Sequence, residues 1–414
     1  MRILVATLVI LCSTLPARVQ GAPEDPPVEK YLVEGKLAEG EKALSDAVAA
    51  RPADAQARFS LGVIQFVSAV ERMVQSFHRY GLRAGVMGNA LPFARLPIPA
   101  NQTPEPIRYA DLRALFQRWN DDLGKVDATL AKVDSPDVKL ALHFALIRLD
   151  SNGNGKAEPD ERLFTLYGEL NAAARNQITP EAAKDFLISF DRADVAWLRG
   201  YCHLLMAMSE VYLAHDEQEL FDHTAPLFFP KAETPFPFLL RRLGEGEQQI
   251  GTKDIMDAIA FIHLMRFPVK EPARLKAALA HLESMIALSH ESWKFILAET
   301  DDDHEWVPNT KQHSVIPNGT VTMEMVKGWL EFLDEAKAIL KGEKLIPFWR
   351  TGTESGVNLK RVFTEPRTFD LVLWVQGTAA VPYLENGVCT SGATWERFQR
   401  IFRGNFIGFA LWFN

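Results

Sequence analysis

The 414-residue sequence is poor in cysteine, with only Cys12, Cys202 and Cys389. So few thiols exclude a small fold held together by several disulfides. Cys12 falls within an N-terminal apolar segment, which leaves one pair in the rest of the chain. That pair permits either one disulfide or two free thiols, and the sequence spacing does not decide between them.

The sequence also lacks an excess of positive charge and, beyond its first residues, any long apolar run. The net charge is −8, so no basic surface is available to neutralise phosphates, and we predict no nucleic-acid partner. No later segment approaches the roughly 20 apolar residues of a membrane-spanning helix, so we predict no integral membrane span. The hydrophobic content of 47% is that of a folded globular protein.

Motifs with a known catalytic mechanism are missing as well. The chain has no nucleophile elbow, no HExxH zinc motif, no P-loop and no dinucleotide-binding fingerprint. This absence favours a non-enzymatic binding or scaffold protein, although it does not exclude an enzyme.

The N-terminus has the pattern of a secretion signal. Met1-Arg2 supplies a short positive region, residues 3–15 are apolar, and small or apolar residues precede a cleavage site before Ala22. We therefore predict a signal peptide over residues 1–21 and an exported protein, periplasmic or extracellular.

Residues 28–66 carry the spacing of a tetratricopeptide repeat, with an aromatic residue, small residues, a large apolar residue and a proline at the expected intervals. These positions are Tyr31, Gly40, Leu44, Ala47 and Pro52, followed by Leu61-Gly62. Small residues let antiparallel helices approach closely. The segment 22–90 therefore resembles a tetratricopeptide-like helical segment, and the resemblance implies a groove for a peptide or protein partner.

The rest of the chain predicts a mainly α protein, a right-handed or irregular helical array. Five prolines mark residues 91–107 as a linker. Apolar periodicity then predicts helices over 108–345, including one at 136–149 and others at 181–215, 254–266, 272–299 and 321–341, with an irregular connection at 225–238. Residues 346–414 are rich in glycine and aromatic residues and are expected to form a packed C-terminal cap.

Oxygen-bearing residues recur through residues 150–161 at the spacing of an EF-hand loop. The predicted ligands are the side chains of Asp150, Asn152 and Asn154, the backbone carbonyl of Lys156, and the carboxylates of Glu158 and Glu161. Ca²⁺ takes six to eight such hard oxygen ligands, and Gly155 permits the sharp turn at the sixth position. The segment 137–172 resembles the EF-hand family, and the resemblance implies Ca²⁺ as the cofactor, with a helix on each side of the loop.

Three features of this segment predict a structural ion more than a regulatory switch. Ala157 replaces the usual β-branched residue or leucine at position 8, Arg162 replaces the usual apolar residue at position 13, and the chain contains no second matching loop. A lone hand lacks the paired loop of the calcium sensors. With three carboxylates in the shell, the expected dissociation constant is about 10⁻⁴ to 10⁻³ M, as in extracellular modules.

Two alternative functions remain open. The first is a secreted hydrolase-type enzyme with a site in the acidic and histidine-rich loop 301–313, where Asp302, His304 and His313 have the atoms for a metal or an acid–base pair. The second is carriage of a small ligand in an aromatic pocket. The pairs His215-Asp216 and Asp222-His223 are weaker metal candidates, because their spacing matches no helical turn.

Overall fold

The computed structural model describes residues 27–83, 98–163, 184–239, 252–315, 320–350 and 355–402, together with Ala410 and Phe413. Within these ranges the fold is mainly α, as predicted, and its strands are two or three residues long. None of the helices described combines the length and apolar character needed to cross a membrane. The predicted signal peptide 1–21 lies outside the described residues.

Three helices form the N-terminal part: α1 (Val28–Glu34), α2 (Leu37–Ala50) and α3 (Ala55–Arg79). The Asp54 side chain accepts from the backbone N–H of Ala57 at 2.9 Å and so caps α3. Gly40 lets α2 pack closely, since a Cβ there would lie 2.5 Å from Cδ1 of Ile64. The small residues of the repeat-like pattern thus lie at close helix contacts.

Helix α4 (Tyr109–Leu130) follows the predicted linker, of which residues 98–107 are described. One hydrophobic cluster contains residues from both sides of the linker. Leu44 of α2, Ile64 of α3 and Leu123 of α4 are all fully buried in one hydrophobic cluster, which also contains Cys202. The helices on either side of the linker therefore pack as one unit.

The prediction of a helix at 136–149 is wrong. Leu140–Leu142 form strand β1, which pairs antiparallel with β2 (Ile188–Phe190), and Phe144–Leu146 form a single 3₁₀ turn. Val138, Leu140 and Leu142 are buried, whereas Ala141 is exposed. The apolar residues of this segment thus follow a period of two, and the distant partner strand supplies the hydrogen bonds.

The central helices largely match the predicted periodicity: α5 (Arg192–Ala214), α6 (Gln218–Phe228), α7 (Thr252–Leu264), α8 (Pro272–Ala298) and α9 (Met323–Leu340). The helix predicted at 181–215 begins later than expected, at Arg192, because residues 188–190 belong to β2. The predicted irregular connection begins later than expected, since α6 continues past Pro226 to Phe228. Both Cys202, buried in α5, and Cys389 are free thiols.

The C-terminal part divides into two regions. The first holds the antiparallel strands β4 (Ile346–Pro347), β5 (Ser355–Val357) and β7 (Leu384–Asn386), with the short helices α10 (Leu359–Thr364) and α11 (Leu371–Gln376). Its strand β6 (Phe369–Asp370) pairs with β3 (Arg266–Phe267) of the helical body. The second region is α12 (Gly392–Ile401), whose Phe398 packs with Trp293 and Trp329 in a separate buried cluster.

Candidate metal centre

The predicted calcium loop is closed at its ends by backbone pairing. The N–H of Leu149 donates to the carbonyl of Glu161 at 3.1 Å, and the N–H of Leu163 donates to the carbonyl of Ile147 at 2.9 Å. Arg148 and Arg162 form the antiparallel bridge between these two bonds. The first and last predicted ligands therefore lie side by side.

Side-chain oxygens turn toward the interior of the loop. The Asp150 carboxylate accepts from the N–H groups of Asn154 and Gly155 at 3.0 and 2.8 Å. The Asn152 side chain accepts from Asn154 N–H at 2.9 Å, and the Asn154 side chain accepts from Lys156 N–H at 2.8 Å. Gly155 has a φ of +85°, which favours glycine. These bonds fold the loop tightly around its first three predicted ligands.

Glu161 closes the loop from the other side. Its Oε2 accepts from Glu158 N–H at 2.8 Å, and its Oε1 accepts from Ser151 N–H at 2.9 Å, the Ser151 hydroxyl, and the Asn152 amide at 3.2 Å. Only 7% of Glu161 and 9% of Asp150 is exposed. Two buried carboxylates thus sit in one loop, held by neutral donors.

Helix α3 provides the surface on which the loop rests. The Asp150 N–H donates to Oε2 of Glu71 at 2.7 Å, and the Gln75 amide donates to the Asp150 carbonyl at 2.8 Å. Glu71 and Gln75 are one helical turn apart and so share a face. Burial raises the pKa of Glu71 to about 7, and the charges of Asp150 and Glu161 add to the rise.

The region therefore concentrates negative charge. No Lys or Arg in the described part of the chain forms an ion pair with Glu71, Asp150, Glu158 or Glu161. A cation would offset that charge, and carboxylate, amide and carbonyl oxygens suit Ca²⁺ chemically. Within the described ranges, however, no group of three His, Cys, Asp or Glu side chains is arranged to hold a metal ion. The expected shell depends on Asn and backbone oxygens in addition to carboxylates.

The surroundings of the loop differ from the helix–loop–helix expected from the resemblance. A strand and a 3₁₀ turn precede it instead of a helix. The helix expected to leave from Glu158 does not begin there, because residues 159–160 form a turn and Arg162 is in the bridge. Residues 164–183, where that helix would continue, lie outside the described residues.

Glu71 gives the metal-free protein a predicted pH dependence. Its pKa is about 7 in the folded state against an ordinary 4.5, so the folded state binds the extra proton between these values. Its contribution to stability is thus lost as pH rises from about 4.5 to 7. Glu71→Gln removes the titration, so the variant should become more stable than the wild type by about 3 kcal/mol at pH 8 and equal to it near pH 4.

Urea unfolding of metal-free protein across this pH range measures the effect. The matched control is Glu343→Gln, which changes an exposed carboxylate far from the loop in sequence and should give a constant difference from the wild type. A Glu71→Gln difference that is likewise independent of pH would contradict the assignment.

Both histidines of the acidic and histidine loop 301–313 are exposed. His313 pairs with Asp302 at 2.6 Å, and the histidine side chain is 90% exposed. His304 pairs instead with Asp303 at 3.2 Å and is 55% exposed. His304 has a φ of +61°, and its carbonyl accepts from Ser189 N–H, which ties the loop to β2. The two histidines thus use different exposed partners.

His215, His223 and His203 also have partners within the protein. His215 and His223 each bond through Nδ1 to a backbone carbonyl four residues earlier. His203 contacts His281, with 2.8 Å between their Nδ1 atoms, and Nε2 of His203 lies 3.5 Å from Asp127. Sequence reasoning missed His281, Glu71 and Gln75, because nothing in their local pattern indicates the distant residues that they contact.

Comparison with known proteins found no matching family model, no matching curated protein and no matching solved structure.

Proposed function

We propose that residues 150–161 bind one Ca²⁺ ion that stabilises the fold of an exported, non-enzymatic binding or scaffold protein. The observation that carries the proposal is the pair of buried carboxylates, Asp150 and Glu161, in a loop with no ion-pairing cation among the described residues. The spacing of the loop's oxygen donors supports the choice of Ca²⁺.

The proposed ligands are the six predicted from sequence: Asp150, Asn152, Asn154, Lys156, Glu158 and Glu161. Bound Ca²⁺ supplies positive charge among these oxygens. The chain's own residues preorganise the loop, because the backbone N–H groups of Asn154 and Gly155 already orient the Asp150 carboxylate. The N–H of Glu158 orients Glu161 in the same way.

A structural role fits the position of the loop better than a switch. The backbone N–H and carbonyl of Asp150 are both held by α3, through Glu71 and Gln75. The paired ends connect the loop to the segment that leads from β1. An ion in this place would tighten the contact between α3 and the β1 segment.

Isothermal titration calorimetry of the metal-free protein tests the proposal. We expect about one Ca²⁺ per chain with a dissociation constant of about 0.1 to 1 mM, and much weaker binding of Mg²⁺, which prefers a smaller octahedral shell. Glu161→Gln should abolish the binding, whereas Glu343→Gln should leave it unchanged. The absence of Ca²⁺ binding up to about 10 mM would overturn the proposal.

Export is the second part of the proposal and rests on the sequence pattern of residues 1–21. An intact mass that begins at Ala22 in protein isolated from its natural source would agree with it. Retention of residues 1–21 would contradict export without affecting the calcium proposal.

A further inference from the structure

A cavity of about 320 Å³ lies between the helical body and the first C-terminal region. The body contributes Val211 from α5, His215 just after it, and Leu275 from α8. The C-terminal region contributes residues between Val362 and Tyr383, most of them apolar or aromatic. Ligand sites in proteins are commonly apolar cavities from about 300 Å³ upward with a few polar groups.

Aromatic stacking and strand pairing hold the wall of this cavity. Trp374 stacks on Tyr383 with 6.0 Å between ring centroids and 7° between planes. Phe369 stacks on Phe267 at 5.7 Å, where β6 pairs with β3. The Tyr383 hydroxyl donates to the Glu365 carbonyl at 3.2 Å. The aromatic rings are therefore positioned by partners other than a ligand.

The floor of the cavity is also fixed. Arg113 donates to the carbonyls of Leu213 and His215 at 2.7 Å each, and to Glu271 at the same distance. This cation stabilises the C-terminal end of α5. The Nδ1–H of His215 donates to the Val211 carbonyl at 2.7 Å, which leaves Nε2 as a hydrogen-bond acceptor. Burial lowers the pKa of His215 and so favours the neutral ring.

Arg367 is the positive group of the cavity lining. Its side chain is exposed, and its guanidinium forms no ion pair among the described residues. Burial raises the pKa of Tyr383, and the backbone N–H and the positive charge of Arg367 oppose that rise, whereas the charge of Glu365 adds to it. The lining of this apolar cavity thus includes one exposed arginine, and a guanidinium suits a carboxylate.

We propose that this cavity binds a small apolar carboxylic acid, with an aromatic or alicyclic body against Phe363, Trp374 and Leu275 and its carboxylate on Arg367. At the packing density of protein interiors, the volume holds about 10 to 14 non-hydrogen atoms. The site is separate from the calcium loop, and the two proposals do not depend on each other.

The test compares 2-naphthoate with 2-naphthamide, a neutral molecule of the same shape, by isothermal titration calorimetry on the full-length protein. We expect a dissociation constant of about 0.1 mM for the acid and at least tenfold weaker binding of the amide. Arg367→Gln should weaken the acid about tenfold and leave the amide unchanged. The matched control Arg118→Gln, which changes an exposed arginine on α4, should alter neither.

Filling the cavity provides the second arm. Ala379→Phe should weaken the binding of both probes more than tenfold. Val211→Phe should do the same from the α5 side, at a position that is 38% exposed and so leaves room for the larger side chain. If Ala379→Phe does not fold, Val211→Phe alone tests whether the probes bind in the cavity. The proposal is overturned if neither probe saturates by 5 mM (about 50 times the expected constant), if Arg367→Gln leaves the acid unaffected, or if cavity-filling variants bind normally.

Discussion

Millimolar Ca²⁺ should raise the melting temperature of the wild-type protein, and a chelator should lower it. A ligand that binds only the folded state adds RT ln(1 + [L]/Kd) to stability, which at 10 mM Ca²⁺ and a dissociation constant of about 0.1 mM is about 2.7 kcal/mol. For a chain of this size, that corresponds to a shift of about 3 to 4 °C. The gain arises because the ion offsets the charge shared by Asp150, Glu161 and the neighbouring Glu71.

Glu161→Gln separates ligation from packing in this measurement. The glutamine keeps the size of the side chain but places an amide N–H₂ where the carboxylate now accepts from Ser151, Asn152 and Glu158. One buried donor then faces another, so the variant should be less stable by about 1 to 3 kcal/mol even without calcium. Its melting temperature should no longer respond to Ca²⁺. A variant that keeps the full calcium shift would show that the ion stabilises the protein elsewhere.

Gly62→Ala should destabilise the protein by about 2 kcal/mol, despite the higher helix propensity of alanine. A Cβ at Gly62 would lie 2.2 Å from Cδ2 and 2.6 Å from Cγ of Leu130, at the contact of α3 with α4. Leu130 is fully buried and cannot move aside without disturbing the core that contains it. Urea unfolding by circular dichroism measures the loss.

Gly124→Ala is the matched control for that prediction. Gly124 lies in the same helix as Leu130, and its nearest neighbour to an added Cβ is the Met206 sulfur at 4.0 Å, an ordinary contact. This change should stabilise the protein by about 0.5 to 1 kcal/mol, because alanine loses less backbone entropy in a helix. Equal effects of the two substitutions would contradict the close packing of α3 on α4.

Local sequence determined the mainly helical fold and most of its central helices. Helices α8 and α9 carry long apolar periodicities, and their observed ends fall within two residues of the predicted ones. A period of 3.6 sustained over several turns fits only a helix, so no distant partner is needed to recognise it. The six predicted calcium ligands are likewise a local pattern, and their assignment to Ca²⁺ stays a prediction.

The tertiary structure decided what depends on distant partners. The apolar pattern of residues 140–142 fits both the helical period of 3.6 and the strand period of two. These residues form a strand because Ile188–Phe190 pairs with them. Glu71 accepts a hydrogen bond from Asp150, which lies 79 residues later in the sequence. His215 and Arg367 are also distant in sequence, yet both line the same cavity. Such contacts form only when separate elements pack, because their free energy comes from burial and hydrogen bonds between segments rather than from the preferences of either segment alone.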